Sequence, residues 1–174
     1  MALSNVSLSV SSNASVGLTS ATVSYSCSGS LPRDTNRYEY SDASYSWRFS
    51  PGSGSSNKSS GSITISNLTQ GAANTISATV TLKCRRDEYE YNAEAKEWQY
   101  IDTEIITVDT ETVTLIVYTR PGTFSEFDGN KDQLINDVIN NTSAANWNTH
   151  CGKYLSWKNQ SNKYNSVNIT FPSG

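Results

Sequence analysis

The sequence predicts a mainly β protein: a β-sandwich over residues 1–120, then a small two-helix module over residues 121–174 ending in a strand. Three observations carry this. Apolar and polar residues alternate in short runs through the first two thirds of the chain, Gly, Ser and Pro punctuate those runs, and the apolar spacing becomes helical after Pro121. The apolar fraction, 36%, is low for a globular chain, which suits strands wetted on one face with polar turns between them. A length of 174 residues fits one ordinary domain with an appendage.

The strands can be justified in order. Val6, Leu8 and Val10 share one face of a first strand. Val23, Tyr25 and Cys27 share a face of a second, stopped by Ser28-Gly29-Ser30. Tyr45, Trp47 and Phe49 mark a third, ended by Pro51-Gly52, and the Ser- and Gly-rich stretch to Gly61 reads as a loop. Ile63 and Ile65 form a short strand, and Ala78, Val80, Leu82 and Cys84 a longer one. Ile106 and Val108, then Val113, Leu115 and Val117, complete the series before Arg120-Pro121-Gly122.

Beyond Pro121 the period changes. Leu134, Ile135, Val138 and Ile139 recur at helical spacing, with Asp128 or Asn130 placed to cap the first turn. Trp147, Cys151, Tyr154 and Leu155 line one side of a second helix. Val167, Ile169 and Phe171 alternate as a last strand. Two helices with so few apolar residues need support from the sandwich or from a neighbouring subunit.

Composition narrows the function. Net charge is −3 with no basic run, so nucleic acid is not an expected partner. No stretch approaches the ~20 apolar residues of a membrane span, so no membrane insertion is expected. The N-terminal Met-Ala-Leu-Ser-Asn has no basic and apolar regions of a secretory signal, although a Met added to an excised fragment would look the same. Cys27, Cys84 and Cys151, an odd number, suggest reduced thiols buried as small hydrophobes.

Catalytic and cofactor chemistry finds little purchase. The one histidine, His150, adjoins Cys151 on a predicted helix, where neighbours one apart point in different directions. No catalytic residue and no cofactor is expected. Asp128, Asn130 and Asp132 look like the start of a calcium loop, but Gln133 and Ile139 stand where Gly and Glu are needed, so no metal is expected.

Tyr25-Ser-Cys27, Ser44-Tyr-Ser-Trp47-Arg-Phe, Ser62-Ile-Thr-Ile and Thr81-Leu-Lys-Cys84 together resemble the immunoglobulin pattern over roughly residues 1–120. The resemblance implies an immunoglobulin-like sandwich in which Cys27, Trp47 and Cys84 point inward as the structural core, with or without a disulfide. The family's corner Tyr, two residues before the second Cys, is Leu82 here, which favours a divergent bacterial or viral relative. Arg120-Pro-Gly-Thr-Phe124 and Thr142-Ser-Ala-Ala-Asn-Trp147 resemble a module of structural proteins of tailed phages and prophages of Gram-positive bacteria, with Asn146 where an acidic residue is usual.

That second resemblance implies a non-enzymatic virion accessory protein on head or tail, contributing decoration or reversible attachment to the bacterial surface. The virion is the expected location, after assembly in the host cytoplasm. Expected partners are other virion proteins or a host-surface glycan, and a homo-oligomer is a further option. The alternatives are an excised module of a cell-surface adhesin and an accessory carbohydrate-binding domain of a polysaccharide-degrading enzyme.

One constellation suggests where binding occurs. Twelve of the 16 acidic residues fall between Asp34 and Glu111. Within that span Arg37-Tyr-Glu-Tyr-Ser-Asp and Glu88-Tyr-Glu-Tyr-Asn-Ala look alike. If these are loops at one end of the sandwich, Tyr38, Tyr40, Tyr89, Tyr91 and Trp98 converge there, with Arg33, Arg37, Asp42 and Glu97 supplying polar contacts. If they extend the strands instead, their Tyr residues pair across the sheet and Glu39 and Glu90 face water.

Overall fold

The computed structural model describes residues 2–120 together with Ser156, Trp157 and Gln160. The two helices expected from Leu134, Ile135, Val138, Trp147, Cys151 and Leu155, and the strand expected at Val167–Phe171, lie outside the described residues. What is described is mainly β, in two antiparallel sheets consistent with a β-sandwich. Seven strands occur among the described residues: β1 (Leu3–Ser9), β2 (Ala21–Gly29), β3 (Tyr38–Ser50), β4 (Ser55–Ser56), β5 (Ser60–Ile65), β6 (Ala73–Asn92) and β7 (Glu97–Tyr118). One sheet has the order β1-β2-β5 and the other β4-β3-β6-β7.

Side-chain alternation explains why these segments are strands. In β6, Ile76, Ala78, Val80, Leu82 and Cys84 are buried, while the residues between them are more exposed. The antiparallel register sets Trp47 opposite Val80 and Phe49 opposite Ala78, so the inward positions of β3 and β6 fall on the same face. The Gly52–Gly61 stretch departs from the expected loop: Ser55–Ser56 pairs with Trp47 and Arg48, and β5 already begins at Ser60. Backbone pairing to β3 satisfies polar groups that Ser-rich composition alone would leave to water.

The chain forms two compact units. The first comprises Met1–Leu8, Ser24–Ser62 and Ser77–Thr114. Its centre is aromatic: the Tyr25 ring lies 5.0 Å from that of Trp47 and 5.3 Å from that of Phe49, and Trp47 and Phe49 stack at 5.9 Å. Tyr25 belongs to one sheet and Trp47 to the other, so these contacts bring the two sheets face to face. Trp47 is fully buried, Cys84 is buried and Cys27 half-buried, both as free thiols. The Cys27 thiol donates to the Ser59 carbonyl, and burial pushes both thiols above their ordinary pKa.

The second unit comprises Ser9–Val23, Ile63–Ile76 and Leu115–Gly174. Val16, Ala21, Val23, Ile65, Leu68, Ile76 and Val117 are buried in it. Its β5-to-β6 connection is held by polar contacts. Asn74 Oδ1 accepts from the Thr69 amide at 2.8 Å, and Asn74 Nδ2 donates to the carbonyls of Thr69 and Ala72. The buried Thr119 hydroxyl donates to the Thr69 carbonyl, and the Thr119 amide donates to Ala72 at 3.1 Å.

Two late residues also fasten to this unit. The Trp157 indole is buried and donates to the Val16 carbonyl at 2.9 Å, with the Arg120 guanidinium 5.1 Å from its ring. Gln160 meets Tyr118 as a neighbouring peptide would: Oε1 accepts from the Tyr118 amide at 2.8 Å and Nε2 donates to the Tyr118 carbonyl at 2.7 Å. Tyr118 closes the edge strand β7, so one carboxamide satisfies backbone groups that an edge otherwise exposes.

Candidate functional site

The core of the first unit stops at Cys84, but the strands do not. From Arg85 onward β6 turns half-exposed, and with the start of β3 and of β7 it builds a three-stranded arm. The two look-alike segments are strands of this arm rather than loops, and they meet at their starts: Tyr38 lies opposite Glu88, while Glu39 and Tyr40 lie opposite Asp87 and Arg86, just before the second segment. The register shifts between Ser41 and Ser44, and Asp42 takes a positive φ there.

Strand alternation then divides the five expected aromatic residues between two faces. Tyr38 and Tyr40 share one, their rings 6.4 Å apart. Two guanidinium groups lie against the Tyr38 ring, Arg37 at 5.2 Å and Arg86 at 4.7 Å. Arg37 donates through Nε and Nη2 to Glu88 at 3.0 and 2.8 Å, and Arg86 pairs with Glu104. Hydrogen bonding to Glu88 raises the Arg37 pKa further.

The other face carries Tyr89, Tyr91 and Trp98, and with them Tyr100. The Tyr89 and Tyr100 rings meet edge to face at 6.0 Å, and Tyr91 meets Trp98 at 5.7 Å. Cross-strand ring pairs of this kind stabilise a ribbon by about 0.2–1 kcal/mol each. They also leave large apolar surface in water, since Tyr91 is 50% and Tyr100 56% exposed. Tyr89 is tied down, its hydroxyl donating to Glu39 at 2.8 Å, and that carboxylate raises the phenol's pKa. Below this pair, Asp87 accepts from Thr103 and from Arg85, which together hold its carboxyl below the ordinary carboxylate range.

The expected convergence of all five rings therefore does not occur; Tyr38 and Tyr40 are turned away because pairing with β6 fixes their face. The expected polar residues are dispersed as well. Arg37 is spent on Glu88, and Asp42 lies at the bulge. Glu97 accepts from Gln99 at 3.2 Å, and Arg33 is exposed without a hydrogen bond to any described residue. Sequence reading missed Tyr100, although Trp98-Gln99-Tyr100 shows the strand period. It also missed Gln99, whose amide takes a hydrogen bond from Asn92 at 3.0 Å.

A hollow of about 240 Å³ opens near the arm's tip, lined by Glu90, Tyr91, Asn92, Gln99 and Ile101. Among the described residues no three His, Cys, Asp or Glu side chains are placed to hold a metal, and no helix is long and apolar enough to cross a membrane. Comparison with protein-family models, with curated proteins and with solved structures finds no match.

Proposed function

We propose that this chain is a non-enzymatic, immunoglobulin-like accessory protein of a tailed-phage virion that meets its partner through the arm. The single observation behind the binding role is the exposed row of Tyr89, Tyr91, Trp98 and Tyr100 on a ribbon beyond the buried core. Contiguous exposed aromatics cost solubility and mark interaction surfaces. The immunoglobulin-like reading draws support from strand order: β1-β2-β5 with β4-β3-β6-β7 corresponds to A-B-E with C′-C-F-G, and the arm to an extended F–G hairpin joined by strand C. Leu82, which replaces the family's corner Tyr, is fully buried, and Asn74 and Thr119 hold the corner instead.

The virion assignment rests on the residues 120–149 resemblance. Its test is a double replacement, Tyr91→Ser with Trp98→Ser, in the gene carried by the producing phage or prophage. Purified particles containing the wild-type chain, with incorporation of the variant falling at least about tenfold, support an assembly role. Normal incorporation with loss of binding to bacterial cells supports attachment. Particles that lack the wild-type chain altogether overturn the assignment.

A further inference from the structure

The hollow at the arm's tip combines features that together select one kind of ligand. Its 240 Å³ lies below the ~300 Å³ at which small-molecule sites begin, which suits one inserted side chain better than a free ligand. Ile101, 50% exposed, gives it an apolar wall. Glu90 gives it a carboxylate that makes no hydrogen bond or ion pair with any described residue. The amides are already oriented: Asn92 donates to Gln99 Oε1, and Gln99 donates on to Glu97. One lone pair of Gln99 Oε1 remains to accept a further donor.

The charge around the hollow points the same way. The arm's arginines are neutralised in place, Arg37 by Glu88, Arg85 by Asp87 and Arg86 by Glu104. That leaves Glu90, Glu94 and Glu97 about the tip against Lys96, with the Glu88-paired Arg37 also within electrostatic reach of Glu90. We infer that the hollow accepts a lysine or arginine side chain from a partner protein: the aliphatic stem lies on Ile101, the cationic head on Glu90 and Gln99. Of the aromatic row only Tyr91 borders the hollow, since Glu90, Asn92, Gln99 and Ile101 lie on the ribbon face opposite the rings. This inference rests on the arm being the binding region and names what the face opposite its ring row recognises.

The test uses the full chain with a hexa-arginine peptide and its citrulline counterpart, which keeps the shape and lacks the charge. Saturable binding of the arginine peptide at low ionic strength is expected, weakening as salt shortens the Debye length from ~30 Å to ~10 Å. Glu90→Gln should weaken it about tenfold, as removal of a directly paired charge does. Glu94→Gln removes the same charge from the adjacent turn, outside the hollow, and should cost less than about threefold. Glu90 is exposed, so a melting transition near that of the wild type is expected for its variant.

Three results overturn the inference: no binding of the arginine peptide, equal binding of the citrulline peptide, or equal loss from the two glutamate variants. Binding of a chitin oligosaccharide in place of the peptide also overturns it. The arm reading fails separately. It falls if Tyr91→Ser with Trp98→Ser leaves both incorporation and cell binding intact; if that pair abolishes either while Glu90→Gln leaves both intact, the arm is the surface and the basic side chain is not its ligand.

Discussion

Trp47 shows how one residue concentrates the stability of the first unit. It is fully buried between Tyr25 and Phe49, and its indole N–H has no hydrogen-bond partner among the described residues. Trp47→Ala should cost ~3–5 kcal/mol through lost contact and the cavity left behind. Trp47→Phe loses less volume and also removes an N–H whose burial costs ~1–3 kcal/mol, so it should cost less than half as much. Urea unfolding midpoints of the two variants check the order. The thiols make a second residue-scale prediction. Burial raises the pKa of Cys27 and Cys84, so both stay protonated near neutral pH and react slowly with iodoacetamide. Peptide mapping should find Cys84 labelled only after denaturation and the half-buried Cys27 labelled slowly before it.

At the scale of elements, carboxylates tie strands together. Asp109 on β7 accepts from the backbone amides of Ala2 and Leu3, both at 2.9 Å, and from that of Thr110. These bonds, the one from Leu3 foremost, hold its carboxyl below the ordinary range, as Thr103 and Arg85 do for Asp87. A carboxyl with a depressed folded pKa contributes stability that is present above the unfolded value near ~4 and lost as pH falls through the folded value. The thermal midpoint should therefore drop on acidification below about pH 4, and Asp109→Asn should flatten that drop while lowering the midpoint at neutral pH. The Asn74–Thr119 knot is the comparable device in the second unit. Thr119→Val leaves the Thr69 carbonyl with Asn74 alone and should cost about 1–2 kcal/mol. Faster hydrogen exchange at the Thr69 and Ala72 amides would locate the loss.

At the scale of the whole molecule, the second unit is tied to residues far along the chain. Trp157 and Gln160 fasten the second unit by bonds to Val16 and Tyr118. Trp157→Ala should lower the melting temperature, since it removes a buried aromatic side chain worth ~3–5 kcal/mol. Tyr91→Ser with Trp98→Ser in the arm should leave the melting temperature within a few degrees of wild type, because each ring pair contributes only about 0.2–1 kcal/mol. A fall as large as that of Trp157→Ala would mean that the arm serves the fold rather than a partner.

Much of the architecture was legible because strand burial is written in a period of two. The runs around Tyr25, Trp47, Val80 and Val117 announce their inner faces without reference to any other strand. Trp47 as a core residue follows from the same alternation. The arm was not legible, because Tyr38-Glu-Tyr40 and Tyr89-Glu-Tyr91 alternate identically whether they are loops or paired strands. Only the register of β3 on β6 decides which ring joins which face, and a bulge at Asp42 resets it. Gln160 bonding the backbone of Tyr118, and Asn74 with Thr119 holding the β5-to-β6 connection, are likewise contacts between distant residues of ordinary polar types. Local periodicity determined which residues are inside; tertiary pairing alone decided which exposed residues stand together, because proximity across strands depends on register and leaves no local pattern.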